Sequence, residues 1–165
     1  MKEISGVYTL KSISYKEKEE LITGYIIDVS NDWTLVHYIP VDYVIDGYRL
    51  INNRLIKRYK REEEEILKEK VYLLKSQDII YHNSNLFDII EQIKGKSCSL
   101  IFVSSVDGNY YLGECIKITF DIIELSLISV DGKRDGVEEI NISDIQSIQF
   151  GDDYSLSVNL LTLNI

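Results

Sequence analysis

The sequence contains no alanine, one proline and two cysteines in 165 residues. Alanine and proline have G/C-rich codons, so their scarcity indicates an AT-rich genome, and the abundance of tyrosine partly reflects the same bias. The cysteines, Cys98 and Cys115, are too few for a disulfide framework and lack the CxxC or Cys/His spacing of a zinc site. We therefore expect free structural thiols and no bound metal.

Long apolar runs are also missing. No stretch reaches the roughly 18 consecutive apolar residues of a membrane span, and residues 1–10 lack the apolar core of a signal peptide. We therefore expect a cytoplasmic protein with no membrane partner. With 45% hydrophobic and 27% charged residues, the chain has the composition of a folded domain rather than of a disordered one.

Signatures of catalysis and of cofactor binding are absent from the sequence. The two histidines, His37 and His82, belong to no HExxH motif or Ser-His-Asp order, and no glycine-rich phosphate loop is present. Recurring aspartates such as Asp42 and Asp46 could form carboxylate pairs, but they adjoin glycines, a composition typical of turns. The sequence therefore predicts a non-enzymatic protein without a cofactor.

The net charge of −9 is unevenly distributed along the chain. Residues 1–61 carry ten basic and eight acidic side chains, residues 62–95 four and eight, and residues 96–165 four and eleven. An acidic surface repels nucleic acid at long range and attracts basic partners. The basic side chains concentrate in residues 49–61, where they could reverse that preference locally.

An internal repeat relates the two halves of the sequence. Residues 24–56 align without a gap to residues 113–145, at an offset of 89, and eleven of the thirty-three positions are identical. The identities include glycines and aspartates, which shape turns and close backbone approaches. They are Gly24/Gly113, Ile27/Ile116, Asp32/Asp121, Ile39/Ile128, Val41/Val130, Asp42/Asp131, Asp46/Asp135, Gly47/Gly136, Ile51/Ile140, Asn52/Asn141 and Ile56/Ile145.

Each copy of the repeat is predicted to form five short strands separated by turn signals. The predicted strands are 7–15, 21–30, 33–39, 43–50 and 55–59 in the first copy, and 98–103, 111–119, 122–129, 137–142 and 145–150 in the second. The apolar run 155–163 predicts one further strand. Helices are predicted over 61–74 and 85–94, where apolar residues recur at helical spacing.

The second copy resembles the Sm-like fold. The resemblance rests on a helix before a Lys-Gly-Lys entry (94–96), a glycine in a bent second strand (Gly113), an aspartate turn (Asp121) before Leu125 and Leu127, and the closing run 145–152, which is similar to that family's last two strands and their turn. It implies a mainly β chain with two small Sm-like or SH3-like five-stranded barrels in tandem, joined by one or two short helices. The implied division is a first barrel over 1–60, a helical linker over 61–83, and a helix plus second barrel with an extra C-terminal strand over 84–165.

The resemblance also bears on RNA binding. Sm-family RNA binders carry an asparagine that reads a base and an arginine that stacks on it. The corresponding positions here hold Leu35 and Glu124 in place of the asparagine, and Gln149 or Phe150 in place of the arginine. A glutamate repels phosphate and cannot replace an amide's donor and acceptor pair. The resemblance therefore implies a fold without that RNA readout.

The sequence favours a protein-binding module. Its predicted C-terminal strand, 155–163, could pair with a strand of the partner. One concrete form is a bacterial inhibitor or immunity-type protein, which caps a basic partner through its acidic surface. The candidate partner-binding residues are Trp33, Tyr43, Glu138, Glu139, Asp152 and Asp153.

The alternative is RNA binding through the basic segment 49–61, with candidates Arg49, Arg54, Lys57, Arg58, Lys60 and Arg61. An enzyme is the third choice. Since Sm-like units associate through edge strands and a tandem chain satisfies such edges internally, we expect a monomer or dimer.

Overall fold

The chain folds into ten strands and three α-helices in the computed structural model, which describes residues 4–14, 17–75 and 78–164. The first repeat contributes β1 (Gly6–Ile13), β2 (Glu19–Val29), β3 (Trp33–Tyr38), β4 (Tyr48–Asn52) and β5 (Ile56–Lys60). The second contributes β6 (Leu100–Ser105), β7 (Tyr110–Ile118), β8 (Ile122–Ile128), β9 (Arg134–Asn141) and β10 (Ile145–Phe150). The helices are α1 (Glu63–Leu74), α2 (Leu86–Lys94) and α3 (Asp153–Leu163). All ten predicted repeat strands are present, although Tyr15 lies outside the described residues.

The strands form one antiparallel sheet in the order β5-β1-β2-β3-β4-β10-β6-β7-β8-β9. Each repeat contributes five neighbouring strands in the same order, with its fifth strand beside its first. The prediction of a mainly β fold is confirmed. The sheet is open, with β5 at one end and β9 at the other.

The repeat seen in the sequence recurs in the backbone. A register shift interrupts the pairing of β2 with β3 between Ile26 and Asp28, and the pairing of β7 with β8 shifts at the equivalent place, between Cys115 and Lys117. A 3-10 turn joins the fourth and fifth strands of each copy, and the two turns, 53–55 and 142–144, are again 89 residues apart. The two copies therefore share their bends as well as their strand order.

The two repeats meet at a junction formed by β4 and β10, which pair antiparallel. Tyr48 lies opposite Phe150, and Leu50 lies opposite Ile148. These four side chains belong to the main hydrophobic cluster, so both copies contribute to one core. The other buried members are Trp33, Leu35, Tyr81, Leu86, Ile89, Ile90, Ile93, Ile101, Val103, Ile123, Leu125, Ile140 and Ile145.

Helix α2 confirms the prediction for residues 85–94. The Asn85 side chain accepts a hydrogen bond from the Asp88 backbone N–H at 3.1 Å, and Gly95 forms the C-cap. The apolar residues at helical spacing, Leu86, Ile89, Ile90 and Ile93, are all buried in the main cluster.

Helix α1 confirms the prediction for residues 61–74, with its observed start at Glu63. It packs on β1 and β2 through carboxylates as well as apolar groups. Glu65 is buried and accepts hydrogen bonds from the Thr9 hydroxyl at 2.8 Å and from the Glu62 backbone N–H at 2.9 Å. Although burial raises the pKa of Glu65, these hydrogen bonds outweigh it and hold the pKa below its usual value.

The predicted C-terminal strand over 155–163 is wrong, because these residues belong to helix α3. The Asp152 side chain caps the helix by accepting a hydrogen bond from the Ser155 backbone N–H at 3.2 Å. The run 155–163 is apolar on nearly all sides, and such a run does not distinguish strand from helix by its periodicity. Helix α3 follows β10 as α1 follows β5, so the repeat extends beyond the aligned residues.

The closing run 145–152 is also corrected. It forms one strand, β10, followed by the start of α3, and not two strands with a turn between them. The turn between the last two strands of the second repeat is Ile142–Asp144. Gln149 and Phe150 therefore do not occupy that closing turn.

No helix in the described ranges combines the length and apolar character needed to cross a membrane.

Candidate functional site

Strand β9 forms one free end of the sheet. Within the described residues it pairs with β8 alone, so its outer edge presents unpaired backbone donors and acceptors. Asp135 and Glu139 are exposed and Glu138 is partly exposed, while Ile140 points into the core. None of these three carboxylates forms an ion pair with a described residue, so β9 is an acidic edge available to a partner.

Strand β5 forms the opposite end of the sheet and has the opposite charge. Lys57 and Arg58 are exposed and form no ion pair with the described part of the chain. Lys60 lies 3.8 Å from the Glu65 carboxylate, and Arg61 pairs with Glu69. The run of glutamates in α1 therefore neutralises one end of the basic segment and leaves the other end free.

The Arg61–Glu69 pair is part of the attachment of α1 to β1. Arg61 donates to the Val7 carbonyl at 3.1 Å, and Glu69 accepts from the Val7 backbone N–H at 2.9 Å. The hydrogen bond to Glu69 raises the pKa of Arg61 against the opposing effect of burial. For Glu69, burial raises the pKa, but the bonds from Arg61 and Val7 hold it below its ordinary value. These charges therefore hold α1 against β1.

A cleft of about 810 Å³ lies where the turns of the two repeats meet the N-terminal end of α2; we call it the junction cleft. Each repeat supplies the turn after its second strand and the turn after its fourth. The lining residues are Ser30, Asn31, Asp32, Trp33, Asn52, Asn53, Arg54, Ser84, Asn85, Leu86, Phe87, Phe120, Asp121, Ile142 and Ser143.

The junction cleft combines aromatic rings with a polar wall. Phe120 is 88% exposed, and its ring centroid lies 5.4 Å from that of Phe87. Arg54 reaches across the repeats and donates a hydrogen bond to the Ser143 carbonyl. The Asn53 side chain accepts from the Thr34 hydroxyl at 2.6 Å, which holds the turn in place. Exposed rings and guanidinium groups can each stack on a flat ligand, and the lining of this cleft contains both.

The predicted partner-binding residues do not form one surface. Trp33 is 7% exposed and belongs to the main cluster, with one side lining the junction cleft. Tyr43 is exposed in the turn beyond the far end of β3, and Glu138 and Glu139 lie on β9. Of the predicted partner-binding residues, only Glu138 and Glu139 lie on the free edge strand, where successive side chains point to opposite faces of the sheet.

The other two predicted acidic residues flank the start of α3. Asp152 is 1% exposed and caps α3, so its inclusion as a surface contact was wrong. Asp153 is exposed, and its backbone N–H donates to the Asp46 carboxylate at 2.8 Å. That bond joins the two repeats, a role for the repeated aspartate that turn composition alone did not indicate.

The predicted RNA-binding residues are also divided among roles. Arg49 is 4% exposed and is therefore not a surface contact. It donates to the Ser147 hydroxyl at 3.1 Å and to Glu20 at 2.6 Å, and it lies over the Tyr38 ring. Arg54 lines the junction cleft. The remaining basic candidates follow along β5 and its end. Among them, Lys57 and Arg58 form no ion pair with a described residue, whereas Lys60 and Arg61 do.

The histidine and cysteine side chains lie in structural environments. The His37 ring stacks on Tyr48 with centroids 4.5 Å apart, and its Nδ1 lies 3.0 Å from the Tyr72 hydroxyl. Burial lowers the pKa of His37 to about 4. Burial likewise raises the pKa of the Cys98 and Cys115 thiols, and both are free. In the described ranges, no three His, Cys, Asp or Glu side chains cluster so as to hold a metal ion.

Sequence reasoning missed Phe87 and Phe120 in the junction cleft. Phe120 directly precedes the repeated Asp121, where the first copy has Asn31, and a large apolar residue in a turn position is unusual. That mismatch between the copies was a usable signal. Phe87 carried no such signal, because it lies within a helix whose other apolar residues are buried.

Comparison with protein-family models, with curated proteins and with solved structures gives no match for this chain. The geometry of the chain itself therefore carries the functional argument.

Proposed function

We propose that this chain is a non-enzymatic protein-binding module, which captures an extended, basic segment of a partner along β9 by strand addition. One observation carries the proposal: β9 ends the described sheet with its outer edge unpaired and displays Asp135, Glu138 and Glu139. An inhibitor that caps a basic protein in the cytoplasm is the concrete form of this function.

Two physical effects support binding at β9. Its free backbone groups can hydrogen-bond with an incoming strand, which supplies affinity without requiring a particular sequence. Its carboxylates attract a basic segment over distance and disfavour an acidic one. Val137, which lies between Asp135 and Glu138 on the same strand, is 58% exposed and offers an apolar contact.

We also propose that each repeat is a variant of the Sm-like or SH3-like fold. The shared order of strands, with the fifth beside the first and then the second, third and fourth, supports this classification. The open sheet and the shared core distinguish the chain from two separate barrels on a linker.

The test of β9 is peptide binding with matched charge variants. A labelled, extended peptide that alternates lysine with threonine is titrated into the protein, and its anisotropy is recorded at low and high salt. We expect saturable binding that weakens with salt and is lost in the double variant Glu138→Lys with Glu139→Lys.

The control for this titration is the double variant Asp88→Lys with Glu91→Lys, which changes the net charge equally at exposed positions on α2. Its affinity for the peptide should fall only slightly, through the general change in net charge, whereas the β9 variant should lose binding. Equal loss in both variants would show an unspecific charge effect and would rule out β9 as the site.

The second candidate function is RNA binding at the junction cleft. The observation that favours it is that the exposed Phe120 ring and the Arg54 guanidinium line the same cleft. An oligouridine strand would stack on the Phe120 ring while Arg54 contacts a phosphate. Lys57 and Arg58, which lie on β5 just after Arg54, would attract the RNA backbone electrostatically. Binding that falls steeply with salt and is lost in Phe120→Ala would support this function. The exposed Lys117 and Lys133 provide the control: their change to alanine should leave such binding unaltered.

A further inference from the structure

We infer that β9 of one chain pairs with β5 of a second copy of this chain, so that copies associate head to tail. The inference rests on the proposed function, because it assigns a partner to the same acidic edge. It is based on the junction between β4 and β10, where the fourth strand of one repeat pairs with the fifth strand of the other.

The free ends of the sheet are the two strands that the junction leaves unused. The junction pairs the fourth strand of the first repeat, β4, with the fifth strand of the second, β10. The remaining fifth strand is β5, and the remaining fourth strand is β9. The offset of 89 places 137–141 on β9 at the positions of β4, and 56–61 at the positions of β10. Two chains can therefore repeat the junction between them.

Asp135 is the first residue that supports this pairing. In the junction, its counterpart Asp46 accepts a hydrogen bond from the backbone N–H of Asp153, the first residue of α3, at 2.8 Å. The residue equivalent to Asp153 is Glu64, in the first turn of α1. Asp135 is exposed, so it can accept the corresponding bond from a second chain.

Gly136 is the second residue. Its counterpart Gly47, at φ +70°, lets the junction close, because a Cβ there would lie 2.6 Å from the Phe150 carbonyl oxygen. Gly136 has a similar φ of +88°, but no described atom lies within 4 Å of the place its Cβ would take. The space that β10 fills beside Gly47 is open beside Gly136.

Asn141 is the third residue. In the junction, the side chain of its counterpart Asn52 donates to the Ile145 carbonyl at 3.0 Å. The repeat keeps both residue types, with Asn141 on the free edge and Ile56 at the start of β5. One N–H of the Asn141 amide donates to Asp144 at 3.3 Å, so the second N–H can donate to a second copy.

One cross-strand position that differs from the junction is complementary in charge. In the junction, Arg49 donates to the Ser147 hydroxyl at 3.1 Å. The equivalent pair between two chains is Glu138 and Arg58, and the strand register places Lys60 directly opposite Glu138. Opposite charges in these cross-strand positions favour pairing.

A helix after the fifth strand does not prevent such a contact at the junction. Helix α3 follows β10 directly and packs on β6, yet β10 still pairs with β4 at the junction. Helix α1 follows β5 and packs on β1 in the same way. Because the contact joins unlike surfaces, copies add head to tail until the assembly closes or continues as a chain. Because its distinctive contacts are ionic, salt should weaken it.

Light scattering over a concentration series at low and high salt tests the inference. We expect the wild type to exceed the mass of one chain, 19.1 kDa, as concentration rises, and to return toward it at high salt. The basic-edge variant, Lys57→Glu with Arg58→Glu, and the acidic-edge variant, Glu138→Lys with Glu139→Lys, should each associate more than about tenfold more weakly. Lys60 is left unchanged because it lies beside the buried Glu65.

Mixing the two variants provides the sharpest outcome. Each keeps one native edge, so the native β9 of the basic-edge variant should pair with the native β5 of the acidic-edge variant. We expect association to return in the mixture, which also shows that both variants are folded. The α2 variant Asp88→Lys with Glu91→Lys should associate as the wild type does.

The inference fails if the wild type keeps the mass of one chain at low salt throughout the concentration series, or if the basic-edge variant associates as the wild type does. The basic-edge variant retains an intact β9, so it should still bind the lysine-threonine peptide. Peptide binding without self-association would overturn this inference and leave the proposed function standing. Loss of peptide binding by the wild type would contradict the proposed function itself.

Discussion

At the scale of the residue, the repeated glycines have a common physical reason. A Cβ on Gly24 would lie 2.8 Å from the His37 carbonyl oxygen, and a Cβ on Gly113 would lie 2.5 Å from the Ser126 carbonyl oxygen. His37 and Ser126 are themselves equivalent positions of the repeat. The third strand of each copy therefore passes too close to the second strand for any side chain at this position.

We expect Gly113→Ala to lower the free energy of unfolding by about 2 kcal/mol, because the added methyl group meets rigid backbone in mid-sheet. Urea unfolding measures the change. Gly95→Ala is the matched control, since its Cβ would lie 3.5 Å from the nearest atom and should cost far less. Equal effects of the two changes would contradict the close approach.

His37 gives the fold a specific dependence on pH. Its folded pKa is about 4, whereas the unfolded value is 6.5. Between these values the unfolded chain binds more protons than the folded one, so the contribution is complete above 6.5 and is lost as the pH falls. The loss should reach at most about 1.4 kcal/mol per pH unit.

Urea unfolding gives the free energy of unfolding at each pH. This free energy should change less with pH in His37→Gln than in the wild type. His82→Gln changes an exposed histidine and should leave the curve as it is. A wild-type curve parallel to that of His37→Gln would contradict the lowered pKa, because it would mean that His37 binds its proton equally well in the folded and the unfolded chain.

At the scale of the element, the strands were predictable and α3 was not. The strands of the repeats are bounded by Gly, Asp and Asn turns, and two related copies confirm one another's boundaries. The residues of α3 have no such second copy in the aligned region, and their apolar residues surround the helix: Leu156 and Leu160 are exposed while Ser155 and Asn159 are buried. The signal that identifies the helix is the capping side chain of Asp152, which sequence reasoning had assigned to the surface.

We expect Asp152→Ala to lower the free energy of unfolding by about 1 kcal/mol, the usual cost of removing an N-cap. Asp153→Ala, one residue further along, removes only a favourable charge from the first turn and should cost a few tenths of that. Chemical denaturation of both variants makes the comparison. A larger loss from Asp153→Ala would contradict the capping role of Asp152.

At the scale of the whole molecule, the two repeats form one structural unit. The main cluster takes Trp33 and Leu50 from the first repeat and Ile123 and Leu125 from the second. The sequence showed that there were two copies, but it could not show that they share a core, because the pairing of β4 with β10 joins segments almost a hundred residues apart. The same limit applies to the candidate site. Glu138 and Glu139 were predicted as partner-binding residues, but their position on a free strand edge follows from the strand order, which the sequence does not show.

A shared core predicts a single cooperative transition. Leu125→Ala, in the second repeat, should destabilise the chain by about 3 kcal/mol. The unfolding midpoint followed by Trp33 fluorescence, which reports on the first repeat, should shift by the same amount as the midpoint followed by circular dichroism. A fluorescence midpoint that stays at its wild-type value would show that the repeats unfold independently.

Amide hydrogen exchange can show whether β9 binds an extended basic segment by strand addition. With saturating lysine-threonine peptide, the backbone amides of Arg134–Asn141 that face away from β8 should exchange more slowly, since they then donate to the added strand. Slower exchange confined to these amides is the result that strand addition predicts. Unchanged exchange along β9 while the peptide is bound would contradict it.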